Sequence, residues 1–201
     1  DLLASLGSFM GRMSRALQGF GHPKAHRPGF LWNLDDVLAV KPWIRDVAED
    51  HRAMIARMFA RYEDRAMPRL RSLRAGVLHQ DANDNNIIVD AADASRVTGL
   101  IDFGDMTFGR QINELAVTLA YALLEADDVY ASAFPLIAAY ARTFPLQEAE
   151  AEILFDLAAV RLAASVCISA HRAREFPGND YLLISQAPAL RLLARLDKTN
   201  P

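Results

Sequence analysis

Between residues 75 and 106 the apolar residues stop recurring at three and four and fall into short β-branched runs. These are Ile87-Ile88-Val89 and then Val97, Thr98, Leu100 and Ile101, separated by Asp90, Ala91, Ala92, Asp93, Ala94 and Ser95. The switch predicts a hairpin, or two short strands joined by a tight loop, set into a chain that is otherwise helical. Ahead of it, Leu2, Leu6, Phe9, Met10, Met13, Leu17 and Phe20 lie on one helix face. Gly19, Gly21, Pro23, Pro28 and Gly29 then predict a loop as far as Trp32, and a second helix is expected from Asp35. A long helix follows Pro42 to about Met67, with Pro68 as its stop. After the island, helices are expected over 115–124, 130–144, 148–174 and 182–196, with Pro135, Pro145 and Pro177 as punctuation. The fold class is therefore mainly α (α+β): one domain over residues 1–201, with helices around a β island at 76–106 where the polar residues gather.

Composition narrows the function classes. Of 201 residues, 52% are hydrophobic, enough for a real core, and the net charge of -3 argues against a nucleic-acid partner. The single cysteine, Cys167, excludes an internal disulfide framework and a multi-cysteine metal site, and favours a cytoplasmic compartment. No uninterrupted apolar run reaches the ~18 to 20 residues of a membrane span, Arg161 splitting the longest, so no membrane partner is expected. The chain opens on Asp1 without a basic leader, which suggests a processed or excised piece and no signal peptide. Between Lys41 and Arg74 nine Lys/Arg face five Asp/Glu. That excess reads either as a docking face for something acidic or as a solvated helix face.

The island carries His79-Gln80-Asp81-Ala82-Asn83-Asp84-Asn85-Asn86, and sixteen residues after Asn86 comes Asp102-Phe103-Gly104. A carboxylate and an amide stand at the two ends of one loop, with a second carboxylate on the neighbouring strand. Such hard oxygen donors suit Mg²⁺. Phosphoryl transfer uses this arrangement, holding a hydroxyl in line while metal neutralises phosphate charge. Asp81, with an ordinary pKa of ~3.9, is too weak a base to deprotonate an alcohol beforehand, so it would orient the hydroxyl and take the proton late. Asn86 and Asp102 would hold the metal and its nucleotide. His79 joins Asp81 in the catalytic set as the residue whose ring ties the loop to backbone near Asp102. The acids Asp81, Asp84, Asp102 and Asp105 alone would also suit a metal-dependent hydrolase, although only His79 is near them.

The segment resembles the catalytic core of the aminoglycoside phosphotransferase and choline kinase superfamily, relatives of protein kinases. Gly99-Leu100-Ile101-Asp102-Phe103-Gly104-Asp105-Met106-Thr107-Phe108-Gly109 and Glu114-Leu115-Ala116 are most similar to the hydroxylysine-kinase-like branch, which also occurs fused to class III aminotransferases. The likeness to the broader pattern spans about 76–124, and the tail around Pro177-Gly178-Asn179-Asp180-Tyr181-Leu182 and Ser185 resembles that branch more loosely. It implies ATP as co-substrate, Mg²⁺, an alcohol acceptor such as an amino alcohol or hydroxylated amino acid, Asp81 as catalytic aspartate, and Asp105 on the acceptor side. Gln80 departs from the small or polar residue usual there. A Gly-rich phosphate loop and a strand lysine are missing, since the lysines are only Lys24, Lys41 and Lys198. The chain is thus expected to be the C-terminal lobe of a protein-kinase-like fold. The N-terminal nucleotide lobe would lie elsewhere in the same polypeptide, and the fragment alone would be inactive. A degenerate kinase-like ligand-binding or docking module is the rival.

Other residues carry weaker expectations. Asp105 would pair with a substrate ammonium or cap a helix beginning near 107–112, and Glu114 would cap or brace the loop. Arg161, Ser165, His171 and Arg172 would line an acceptor cleft, or Arg161 would pair with a structural carboxylate. Cys167 reads as a small buried hydrophobe, and Trp32 as core.

Overall fold

The computed structural model describes residues 1–179, 183 and 185–199. Helix α1 (Leu2–Ala16) packs along α5 (Val129–Thr143). The contact is close because Gly7 and Gly11 face it: a methyl group at Gly7 would collide with the Leu136 carbonyl, and one at Gly11 would stand 2.8 Å from the Tyr140 carbonyl. A 3₁₀ segment (Leu34–Asp46) follows the predicted loop and contains Pro42.

Helix α2 (Glu49–Arg61) continues through a π turn (Tyr62–Ala66) into α3 (Met67–Leu70). Pro68, expected to stop the helix, stands in the first turn of α3. The ring of a proline clashes with the carbonyl four residues back, and the wider π turn just before it is where the ladder is re-registered. Pro135 likewise sits inside α5 rather than between helices.

The island holds two antiparallel pairs. Strands β2 (Ile87–Val89) and β3 (Val97–Leu100) form the predicted hairpin, with Ile87 opposite Leu100 and a bulge at Ile88/Val89. Strand β1 (Ala75–Leu78) pairs with β4 (Thr107–Arg110), Leu78 opposite Thr107. The expectation of a helix start near 107–112 is corrected here: Thr107–Arg110 is extended and α4 (Ile112–Ala122) begins at Ile112. The β-branched Thr107 and aromatic Phe108 suit a pleated surface.

Helix α6 (Glu148–Glu175) runs through the centre against α2, α4, α7 (Gln186–Thr199) and the 3₁₀ segment. Its middle is long and apolar enough to cross a membrane by length and composition, even with Asp156 and Arg161 in it. Yet 83% of that window is buried within the fold, so its apolar surface is already covered.

Several of the nine basic residues of 41–74 pair with acids outside the stretch. Arg61 meets Asp156 at 2.8 Å, Arg57 meets Asp197 at 2.5 Å, Arg69 meets Glu152 at 3.1 Å and Arg74 meets Glu150 at 2.7 Å. These four pairs fasten the α2–β1 stretch to α6 and α7, while Arg57, Arg65, Arg69 and Arg71 stay exposed, so the face is solvated as well as braced. Asp180, Tyr181 and Leu182 of the tail motif lie outside the described residues.

Candidate active site

Strand β1 delivers His79, Gln80 and Asp81, and the first turn of α4 fixes their backbone. The buried Glu114 carboxylate accepts the His79 N–H at 2.7 Å and the Gln80 N–H at 3.1 Å. Burial pushes the Glu114 carboxyl above the usual range, opposed by those two N–H groups. Glu114 therefore braces the loop. Gln80 takes a left-handed conformation at φ 66°, and its side-chain amide donates to the Trp32 carbonyl at 2.9 Å. A non-glycine residue held this way costs roughly 1–2 kcal/mol, which the Gln80 bonds to Glu114 and Trp32 offset.

His79 is fully buried. Its Nδ1 accepts the Asp81 N–H at 3.2 Å and its Nε2 lies 3.0 Å from the Ile101 carbonyl, so the bonds assign a neutral ring with the proton on Nε2. The ring meets Phe103 edge-on at 4.8 Å. It thus spans the gap between Asp81 and the end of β3.

Asp81 Oδ2 accepts from Asn86 Nδ2 at 2.7 Å and Oδ1 from Asn83 Nδ2 at 3.0 Å, while the Arg161 guanidinium stands 3.8 Å from Oδ1. Burial raises the Asp81 pKa and the Asp105 charge adds to it, against Asn83, Arg161 and Asn86. Asn86 Nδ2 also donates to the Asp81 carbonyl at 2.8 Å, so both bonds use the nitrogen and Oδ1 is the atom left to coordinate. The Ile101 N–H donates to the Asn86 carbonyl at 3.0 Å, extending the hairpin ladder by one step and setting Asn86 beside the residue that precedes Asp102. Asp102 is itself left-handed, at φ 60° and ψ 74°, with Oδ1 accepting the Gly104 N–H at 3.1 Å. Among the described residues, the two non-glycine ones with positive φ thus flank this site.

A polar cavity of about 290 Å³ opens beside Asp81, lined by Asp105, Asn83, Tyr121, Arg161, Ser165 and Arg172 among others. Arg161 donates to the Trp32 carbonyl at 2.9 Å and lies 4.6 Å over the Trp32 ring. Trp32, expected to be mere core, therefore joins loop, the end of β1 and α6. Only its position at the end of a Gly/Pro-rich loop hinted at this. His171 is not at the cavity: it stacks on Trp43 at 4.1 Å and bonds Asp46 at 2.7 Å. Helical rotation explains the split, because Arg172 lies about 20° from Arg161 around the axis and His171 about 80° away. Asp84 faces a separate, mainly apolar cavity. Among the described residues no three His, Cys, Asp or Glu side chains gather as a metal cluster, which removes the ground for an all-carboxylate hydrolase centre. Cys167 is buried, its thiol pushed up to about 12 by burial.

The model of the phosphotransferase enzyme family matches residues 1–153. Hydroxylysine kinase of Mus musculus is 27% identical over 205 residues, covering 96% of this chain and 54% of that protein. The Danio rerio hydroxylysine kinase is 29% identical over 203 residues, with 98% and 57% covered. The chain spans about half the length of these curated relatives. Among solved structures, amicoumacin kinase hAmiN in complex with AMP-PNP, Ca²⁺ and Ami aligns over 100% of this chain and 59% of its own, with a TM-score of 0.61 and 15% identity. That likeness shows the fold.

Proposed function

The chain belongs to the phosphotransferase enzyme family, and from that membership we propose that it is the large, C-terminal lobe of a longer ATP- and Mg²⁺-dependent small-molecule kinase. The acceptor is an alcohol group on an amino alcohol or hydroxylated amino acid. The observation that carries the reading is Asp81, held through Asn86 and open to the polar cavity, with Asp102 one step beyond Asn86's neighbour across the hairpin. Hydroxylysine kinases among the relatives support an acceptor with both hydroxyl and amino groups. A cavity of about 290 Å³ suits a molecule of that size, standing at the lower end of small-molecule sites.

The donor set fits Mg²⁺: Asn86 Oδ1 and the Asp102 carboxylate are hard oxygens, and Asn86 spends its nitrogen on Asp81. Mg²⁺ held there would supply charge neutralisation for phosphate oxygens. Asp81 orients the acceptor hydroxyl and takes its proton late, as that oxygen bonds to the γ-phosphorus and the bridging P–O bond breaks toward ADP. Glu114 and His79 keep Asp81 in register with Asp102, while Asp105 offers its charge to a substrate ammonium. The grip on the α- and β-phosphates comes from the remainder of the polypeptide.

The test is Asp81→Asn and Asp102→Ala in the full-length protein, with ADP release measured against added acceptor. Each is expected to lower kcat by about 10²- to 10⁴-fold. Transfer that survives both substitutions refutes the assignment. Calorimetry with Mg-ATP on chain and full-length protein separates a kinase from a docking module.

A further inference from the structure

Helix α6 is covered along nearly all of its middle, with Leu162, Ala163, Ala164, Val166, Cys167 and Ala170 buried. The residues it turns toward the polar cavity are instead Arg161, Ser165, Ser169 and Arg172, with one apolar member, Ile168. A helix seated in an apolar core gains nothing from such a stripe by packing. At its inner end Arg161 is fixed by the Trp32 carbonyl and faces Asp81. Arg172, three turns and about 16 Å further along the axis, is exposed at the rim. Its neighbours are engaged elsewhere: His171 and Arg174 both bind Asp46 on the far side of the helix. The Arg172 side chain forms no hydrogen bond or ion pair among the described residues.

The cavity therefore runs from two carboxylates, Asp81 and Asp105, to a guanidinium that has no partner among the described residues. Resting on the phosphotransferase reading, we infer that Arg172 reads a carboxylate on the acceptor, so that the substrate is a zwitterionic hydroxylated amino acid rather than an amino alcohol. Its hydroxyl and a cationic group enter at the Asp81 and Asp105 end and its carboxylate points along α6 to the rim. Arginine suits that task, since its planar fork matches a carboxylate in two parallel bonds.

The experiment uses the full-length protein and a coupled ADP assay. Acceptors are paired: serine against ethanolamine, and hydroxylysine against the diamine left when its carboxylate is removed. The protein is expected to favour the amino acid of the productive pair by about 10- to 100-fold in kcat/KM, the range for a hydrogen-bonded charge pair. Arg172→Gln is expected to erase that preference and Arg172→Lys to keep part of it, with thermal melts matching the parent because Arg172 holds nothing else in place. Equal or better use of the amine by the parent, or a preference that stays within about twofold after Arg172→Gln, overturns the inference. If the parent transfers phosphate to none of the four, the acceptor class proposed above fails and this inference with it.

Discussion

Replacing Gln80 by glycine and, separately, by alanine sets backbone strain against side-chain ties at the turn that presents Asp81. Both substitutions remove the bond from the Gln80 amide to the Trp32 carbonyl and the buried packing around it, and both remove the buried Oε1 that has no partner. Both keep the Gln80 N–H that Glu114 accepts. What differs is the conformation at φ 66°. Alanine pays roughly 1–2 kcal/mol to sit there and glycine does not. Glycine in turn loses roughly 0.5–1 kcal/mol through the entropy of its unfolded chain. The glycine variant is thus expected to be more stable than the alanine variant by about 0.5–1 kcal/mol, the reverse of their order in an ordinary helix or strand. For a chain of this size that is about 1–4 °C in Tm. Urea denaturation of the two variants side by side, with equal m values, measures it. An alanine variant as stable as the glycine variant would refute the view that this turn is strained.

Acid unfolding probes the α6 rim. The Asp46 carboxyl is held below its ordinary range, chiefly by the bond from His171 and further by Arg174. A depressed folded pKa means stability that is present above pH about 3.8 and lost as pH falls through the lower folded value. Asp46→Asn is expected to flatten the pH dependence of Tm below about pH 4, and an unchanged slope there counts against the pairing. Cys167, with its thiol pushed up to about 12, is expected to resist a thiol reagent at pH 8 until urea unfolds the chain; stoichiometric labelling of the native protein would contradict its burial.

How much of this is written locally differs from element to element. The recurrence of Leu2, Leu6, Met10 and Met13 suffices to place α1, although Gly7 and Gly11 take their meaning only once α5 lies against them. Strand β4 escapes a sequence reading because four residues, Thr107-Phe108-Gly109-Arg110, are too few for alternation to show. Its partner β1 also lies some thirty residues back along the chain. The spacing of Asp81, Asn86 and Asp102 marks the site, since a hairpin brings its two strand ends together whatever surrounds it. The Arg161 contact and the engagement of the basic stripe by acids of α6 and α7 are long-range choices that no local pattern encodes. The divergence of His171 from Arg172, by contrast, follows from helix rotation alone once α6 is accepted.

One oxygen atom, the Trp32 carbonyl, accepts from both Gln80 and Arg161. The turn that aims Asp81 and the inner wall of the polar cavity are therefore moored to the same post. Whatever tugs the segment between α1 and the 3₁₀ stretch loosens both lines together, which makes that segment a place where the shape of the cavity and the aim of the Asp81 carboxylate change as a single event.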